Sequence, residues 1–215
     1  MLPVLYSFRR CPYAMRARLA LCAAEVSVVL REVVLREKPD AFLAASPSGT
    51  VPCLVLEDRV IDESLDVMIW ALRRNDPLGW QNMPQEGWAW IARCDSPFKA
   101  ALDRTKYATR YPETDSDAER EKASVFLREL DQQIDSALFD QPTLADVAIF
   151  PFVRQFAFID KPWFDAQDWP HLQSWLAAWL ASPRFEAIMG KHPQWHPGDP
   201  PERFPPSDAP GVVMR

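Results

Sequence analysis

Every stretch that reads as a β-strand lies before Asn75, and from there to Met189 the long stretches read as helix. A chain divided in this way cannot form one uniform layer. It calls for an α/β half followed by an all-α half. In the first half, residues 3–8 and 26–35 read as strands rich in Val and Leu. Residues 12–24 read as a helix that opens on Pro12, where a missing N–H costs nothing. Residues 39–45 read as a short helix stopped by Ser-Pro-Ser-Gly at 46–49. Residues 53–57 and 60–61 flank Asp58-Arg59 as a tight hairpin, and 63–74 is helical again. The order is β-α-β-α-β-β-α.

Asn75-Asp76-Pro77-Leu78-Gly79 then breaks the chain. The expected division is a first domain over 1–75, a linker over 76–86, a helical domain over 87–191 and a Pro-rich extended tail over 192–215. Within the helical part, 88–111, 116–138 and 143–158 read as long helices, followed by 170–181 and 183–189. Ala123, Phe126, Leu127, Leu130 and Ile134 recur at helical spacing, and Thr143-Leu-Ala-Asp146 reads as a capping box with Asp in place of Glu.

Charge and length exclude several classes. The 215 residues carry a net charge of −6 with no dense Lys/Arg block, so neither nucleic acid nor an anionic membrane is an expected partner. No apolar run approaches the roughly 18 residues of a spanning helix. The first residues, Met-Leu-Pro-Val-Leu-Tyr-Ser-Phe, run into Arg9 and Arg10 without the order of a secretory signal, and a cytoplasmic location is expected. There the four cysteines, Cys11, Cys22, Cys53 and Cys94, stay reduced.

Cys11 stands where the first strand hands over to the first helix. Unpaired N–H groups and the positive end of the helix dipole meet there, and Arg9, Arg10, Arg16 and Arg18 crowd the same segment. Both effects favour the thiolate, so a lowered pKa is expected. In Cys11-Pro12-Tyr13-Ala14 the position of a second redox cysteine is Ala. Cys22 is eleven residues on, about 16 Å along a helix, too far for a disulfide that needs Cα atoms within about 7 Å. An external thiol must therefore release any mixed disulfide formed at Cys11. A buried, inert Cys11 is the competing reading. Cys22, Cys53 and Cys94 read as core.

The run Tyr6-Ser-Phe-Arg-Arg-Cys11-Pro-Tyr-Ala-Met-Arg-Ala-Arg-Leu resembles the first strand-helix unit of cytosolic glutathione transferases with a cysteine active site, the omega class in particular. Leu35-Arg-Glu-Lys38-Pro39, Gly49-Thr-Val51-Pro52, Ile61-Asp62-Glu63-Ser64 and Thr143-Leu-Ala-Asp146 are similar, in order, to the second-helix entry, cis-proline loop, γ-glutamyl-binding turn and capping box of that family. The resemblance implies a thioredoxin-like first domain, an all-helical second domain and a homodimer. It also implies glutathione as co-substrate and a small electrophilic or disulfide second substrate. Cys11 becomes the catalytic residue of a thiol transferase or dehydroascorbate reductase. Phe8, Tyr13, Lys38, Val51, Pro52, Glu63 and Ser64 become glutathione contacts.

The chemistry of those residues fits the tripeptide. The N–H groups of Glu63 and Ser64 at a helix start offer an anion site for the γ-glutamyl carboxylate. The Glu63 carboxylate matches the γ-glutamyl ammonium, and Lys38 the glycyl carboxylate. Val51 offers backbone groups that hydrogen-bond a peptide in the manner of an added strand. Trp90, Cys94, Phe98, Arg104 and Tyr107 are candidates for the second-substrate pocket, although the same spacing suits a helix core. Two alternatives stand beside this reading. Tyr6 or Ser7 could hold a glutathione thiolate for conjugation to electrophiles, or the fold could serve as a non-enzymatic adaptor. His192 and His196 are four apart, but Pro193 breaks any helix between them, so no metal is expected.

Overall fold

The computed structural model describes residues 1–206 and divides into two compact units. The first comprises Met1–Gly79 together with the described residues from Ala181 onward, and the second is Trp80–Leu180.

The first unit is a mixed sheet flanked by helices. Its elements are β1 (Val4–Ser7), α1 (Pro12–Ala23), β2 (Val28–Glu32), α2 (Asp40–Ala45), β3 (Cys53–Val55), β4 (Val60–Ile61) and α3 (Ser64–Leu72), joined later by α10 (Pro183–Ile188) and β5 (Glu202–Phe204). The strand order is β4-β3-β1-β2-β5. β1 and β2 run parallel, with Tyr6 opposite Arg31, while β3, β4 and β5 each pair antiparallel with a neighbour. This is the thioredoxin-like fold expected of the first half. α1 is buried almost all round, because it lies against α3 and α10, and even Arg16 and Arg18 are only 1% exposed.

The stretch from His192, expected as an extended tail, instead returns to the sheet. Glu202, Arg203 and Phe204 pair with Leu30, Val29 and Val28, so β2 is not an edge. α10, assigned by the sequence to the helical half, packs on α1. The part of the tail over 207–215 lies outside the described residues.

The second unit is all helical: α4 (Gln85–Arg93), α5 (Lys99–Lys106), α6 (Ser116–Gln133), α7 (Leu144–Ala157), α8 (Lys161–Asp165) and α9 (Pro170–Leu180). The single helix expected over 88–111 is interrupted by a π-helical stretch at Cys94–Phe98. Pro97 lies inside it. Proline has no N–H to give, and its ring crowds the carbonyl four residues back, so the helix widens locally. α6 stops at Gln133, short of the expected Leu138, because the backbone turns extended at Ile134 (φ −75°, ψ 131°); farther on, the Leu138 N–H donates to the Asp146 carboxylate at 2.9 Å. α7 opens with the capping box expected from the sequence: Thr143 Oγ1 accepts from the Ala145 N–H at 3.3 Å and Asp146 accepts from the Thr143 N–H at 2.8 Å. Aromatic rings fill the core, with Phe98 stacked on Phe126 at 4.7 Å and Phe150 on Trp179 at 5.4 Å. Among the described residues no helix is long and apolar enough to cross a membrane.

Candidate active site

Cys11 is the N-cap residue of α1, with an extended backbone (φ −75°, ψ 123°) and Pro12 as the first helical residue. Its N–H donates to the Phe8 carbonyl at 3.0 Å and its own carbonyl accepts from the Met15 N–H at 2.9 Å. These bonds fix the turn from β1 into the helix. The thiol is half-buried and donates to the Val51 carbonyl at 3.6 Å. None of the four cysteines forms a disulfide.

A groove of about 460 Å³ opens beside the sulfur. It is lined by Cys11, Tyr13, Leu35, Lys38, the Gly49–Pro52 loop and Asp62, Glu63 and Ser64. The Val51–Pro52 bond is cis. Gly49 has φ +62°, a conformation that side chains rarely adopt, and a Cβ there would approach the Lys38 ammonium to 3.6 Å. The loop is held from below by Asp62, whose carboxylate accepts from Ser46 Oγ at 2.9 Å and the Ser48 N–H at 3.2 Å. Glu63 caps α3 and Ser64 is its first residue, so the positive end of that helix faces the groove.

Six of the expected glutathione-site and catalytic positions beyond Cys11 meet here: Tyr13, Lys38, Val51, Pro52, Glu63 and Ser64. Phe8 does not line the groove. It packs on the core cluster beneath the Arg10 guanidinium, which lies 5.6 Å above its ring. Leu35, Gly49, Thr50 and Asp62 also line it. They belong to the motifs quoted above, but their side chains gave no chemical reason to single them out.

The hydroxyls of Tyr6 and Ser7 lie elsewhere. Tyr6 is 2% exposed, and its hydroxyl accepts from Arg31 at 2.6 Å and reaches the Ala41 carbonyl at 3.4 Å. Ser7 is fully buried, and its hydroxyl accepts from Arg18 at 2.5 Å. Neither lines the groove, so the arrangement speaks against either as the hydroxyl that holds a substrate thiolate.

Two buried charges that the sequence reading did not single out as a pair stand behind the Cys11 loop. Arg18 donates through Nη2 to the Arg9 carbonyl at 2.6 Å, and Glu32 accepts from the Arg9 N–H at 2.5 Å. Burial pushes the Arg18 guanidinium down to about 10, against the opposing pull of Glu32 and Cys11. Burial also raises the Glu32 carboxyl, although the Arg9 N–H and the charges of Arg18, His192 and Arg9 work the other way. A signal for Glu32 exists in the sequence. It falls on the same face of β2 as buried Val28 and Leu30, so strand alternation points a carboxylate inward.

The other thiols are unsuited to chemistry. Burial pushes Cys53 up to about 12 and raises Cys22, while Cys94 is fully buried in the π-helical stretch. His192 pairs with Glu202 at 2.5 Å and His196 lies 3.7 Å from Asp199. A larger groove of about 550 Å³ lies at the opposite end of β1, lined by Met1–Val4, Trp70 and Arg74 among others, and no cysteine reaches it.

In the helical unit, Phe98 and Arg104 line a groove of about 420 Å³ with Glu119, Lys122 and Phe126. Arg104 is 3.6 Å from Glu119 there. Trp90 lies outside it, edge-on to Phe126 at 5.7 Å. Tyr107 is also outside, between Lys106 and Arg110 at 5.1 and 4.6 Å. Of the five candidate second-substrate residues, Phe98 and Arg104 line this groove, and Trp90, Cys94 and Tyr107 do not.

Comparison with known proteins agrees with this architecture. Residues 5–78 match the family described as glutathione S-transferase, N-terminal domain, and residues 89–178 match its C-terminal domain. Among curated relatives, a probable glutathione transferase of Aplysia californica is 44% identical over 57 residues, which is 26% of this chain and 62% of that protein. Glutathione S-transferase aclG of Aspergillus oryzae is 39% identical over 59 residues, 26% of this chain and 25% of that one. The chain thus spans less than two thirds of either relative. Solved structures share the fold. Glutathione transferase Omega 3C of Trametes versicolor has a TM-score of 0.71 at 18% identity, covering 90% of this chain and 91% of its own. A Pseudomonas putida glutathione transferase with glutathione disulfide bound has a TM-score of 0.74 at 16% identity, covering 87% and 90%.

Proposed function

We propose that this chain, which belongs to the glutathione transferase superfamily, is an omega-like, glutathione-dependent thiol transferase that acts on disulfides or glutathione adducts through Cys11. The observation that carries the reading is the position of one sulfur. Cys11 is the N-cap of α1 and opens onto a groove whose walls offer the partners a glutathione molecule needs. Lys38 matches the glycyl carboxylate. The start of α3 with Ser64 matches the γ-glutamyl carboxylate, and Glu63 matches its ammonium. Val51 offers backbone hydrogen bonds to the cysteinyl unit. Solved relatives with glutathione or glutathione disulfide bound are consistent with that ligand.

The chemistry follows from the thiols present. The Cys11 thiolate attacks the glutathionyl sulfur of a mixed disulfide. The Cys11–glutathionyl S–S bond forms, the substrate S–S bond breaks, and the substrate leaves as a thiolate that takes up a proton. A second glutathione thiolate then attacks the glutathionyl sulfur on Cys11, giving glutathione disulfide and restoring the Cys11 thiolate. No second cysteine of this chain is placed to take that role, since Cys53 and Cys94 are fully buried and Cys22 lies near the far end of α1.

The test compares wild type with Cys11→Ala in a hydroxyethyl-disulfide assay coupled to glutathione reductase. The expected result is loss of at least about a hundredfold in rate, the effect of removing a covalent nucleophile. Equal rates would remove Cys11 from the mechanism.

A further inference from the structure

Residues 192–204 form no part of the groove, yet they cover its charged foundation. The Trp195 N–H donates to the Glu32 carbonyl at 2.8 Å. Its ring lies 4.1 Å from the Arg31 guanidinium carbon and edge-on to Tyr6 at 5.8 Å. Glu202 pairs with Leu30 across the β2–β5 ladder, and its carboxylate holds His192 at 2.5 Å. His192 in turn is within electrostatic reach of Glu32. Glu32 is only 8% exposed.

Beneath that cover, Glu32 and Arg18 grip one peptide from both sides. Glu32 takes the Arg9 N–H at 2.5 Å, Arg18 takes the Arg9 carbonyl at 2.6 Å, and Arg18 also binds Ser7 Oγ at 2.5 Å. Arg9 is two residues ahead of Cys11. Both charged groups keep one buried atom without a hydrogen bond, Arg18 Nε and Glu32 Oε2. Such burial opposes folding unless mutual attraction and the remaining hydrogen bonds offset it. In a poorly solvated setting they act strongly on an ionisable group nearby.

We infer that the C-terminal segment is a working part of the Cys11 site: it seals Glu32 into a charged clamp with Arg18, and the clamp both positions the Arg9–Cys11 turn and sets how readily the Cys11 thiol ionises. Arg18 and Glu32 are positioning residues, since neither lines the groove. Their charges work in opposite directions on the thiolate, Arg18 favouring it and Glu32 offsetting Arg18. The other charged or titratable groups about Cys11 are Arg9 and Arg10 on the turn, Tyr13 and Arg16 on α1, and Lys38, Asp62 and Glu63 on the groove wall. Those facing Glu32 are Arg9, Arg18 and His192.

The inference rests on Cys11 as the reactive thiol, but its test needs no turnover. The rate of Cys11 alkylation by iodoacetamide is measured across pH on the full chain, with the Cys11 peptide quantified by mass spectrometry. Arg18→Met is expected to move the midpoint up by about one pH unit, and Glu32→Gln to move it down, the size of shift a nearby charge produces. A clamp that only shapes the backbone would shift both variants the same way or neither, and either outcome overturns the inference. The cover is tested by Trp195→Ala, which is expected to speed amide exchange in the peptide spanning 8–15 by about tenfold. Unchanged exchange there overturns the role of the segment. Should Arg18→Met not fold, Glu32→Gln and Trp195→Ala still decide the matter. A wild type that shows these shifts but no disulfide turnover would defeat the thiol-transfer reading and leave the clamp standing.

Discussion

Both units bury carboxylates, and two of them, Asp146 and Glu32, are treated differently. In the helical unit Asp146 is fully buried and accepts four hydrogen bonds, from Leu138 N–H at 2.9 Å, Trp175 Nε1 at 3.1 Å, Thr143 N–H at 2.8 Å and Thr143 Oγ1 at 3.1 Å. These ties join the loop after α6, the start of α7 and the middle of α9. In the thioredoxin-like unit Glu32 has one donor on Oε1 and none on Oε2, and its remaining partners are charges. Burial raises both carboxyls above the ordinary range. A saturated carboxylate fixes a fold. An undersaturated one keeps acceptor capacity and charge that its hydrogen bonds do not use up.

The largest expected effect lies with Asp146. Asp146→Ala strands four donors and is expected to cost about 4 kcal/mol, read as a melting temperature lower by about 10 °C. A loss below about 1 kcal/mol would erase the contrast between the two carboxylates. Next comes thiol reactivity. With Cys53 pushed up to about 12 and Cys22 raised by burial, limiting iodoacetamide at neutral pH is expected to modify Cys11 at least about a hundredfold faster than either. Comparable labelling of Cys53 in the native protein would show that its burial is not maintained in solution.

The smallest effect is on the stability of Glu32→Gln. Gln keeps an acceptor for the Arg9 N–H, so the change at neutral pH is expected to stay within about 1 kcal/mol. Its pH dependence has a definite sign. The folded Glu32 carboxyl holds its proton to higher pH than the unfolded one. Wild-type stability therefore falls as pH rises from the ordinary carboxylate value, about 4, through the raised folded value, and is level above it. The Gln variant lacks this decline. Its melting temperature relative to wild type should rise between about pH 4 and pH 7, and a difference that stays flat would mean that Glu32 is not strained by burial.

Local signals made much of the fold legible. Short strands rich in Val and Leu, Pro12 at a helix start, the Ser-Pro-Ser-Gly break and the Thr143–Asp146 box each act within a few residues, and each appears where the sequence places it. The groove residues Cys11, Lys38, Val51, Pro52, Glu63 and Ser64 were legible for the same reason, since each sits in a short motif at an element boundary. What escaped was non-local or ambiguous. β5 is three residues, flanked by Pro201 and Pro205, and pairs with a strand about 175 positions earlier, so no alternation betrays it. Pro97 was visible, but apolar periodicity on both sides hid the π-helical stretch. The Arg18–Glu32 clamp depends on two elements meeting across the Arg9 turn, which spacing alone does not reveal.

The most direct measurement is a peptide mass map after incubation of the reduced protein with glutathione disulfide. If Cys11 is the nucleophile of the proposed thiol transfer, it takes up one glutathionyl group, so the Cys11 peptide should gain about 305 Da and lose it on adding excess glutathione. An unmodified Cys11 peptide, or a gain found instead on Cys22, Cys53 or Cys94, would contradict the account.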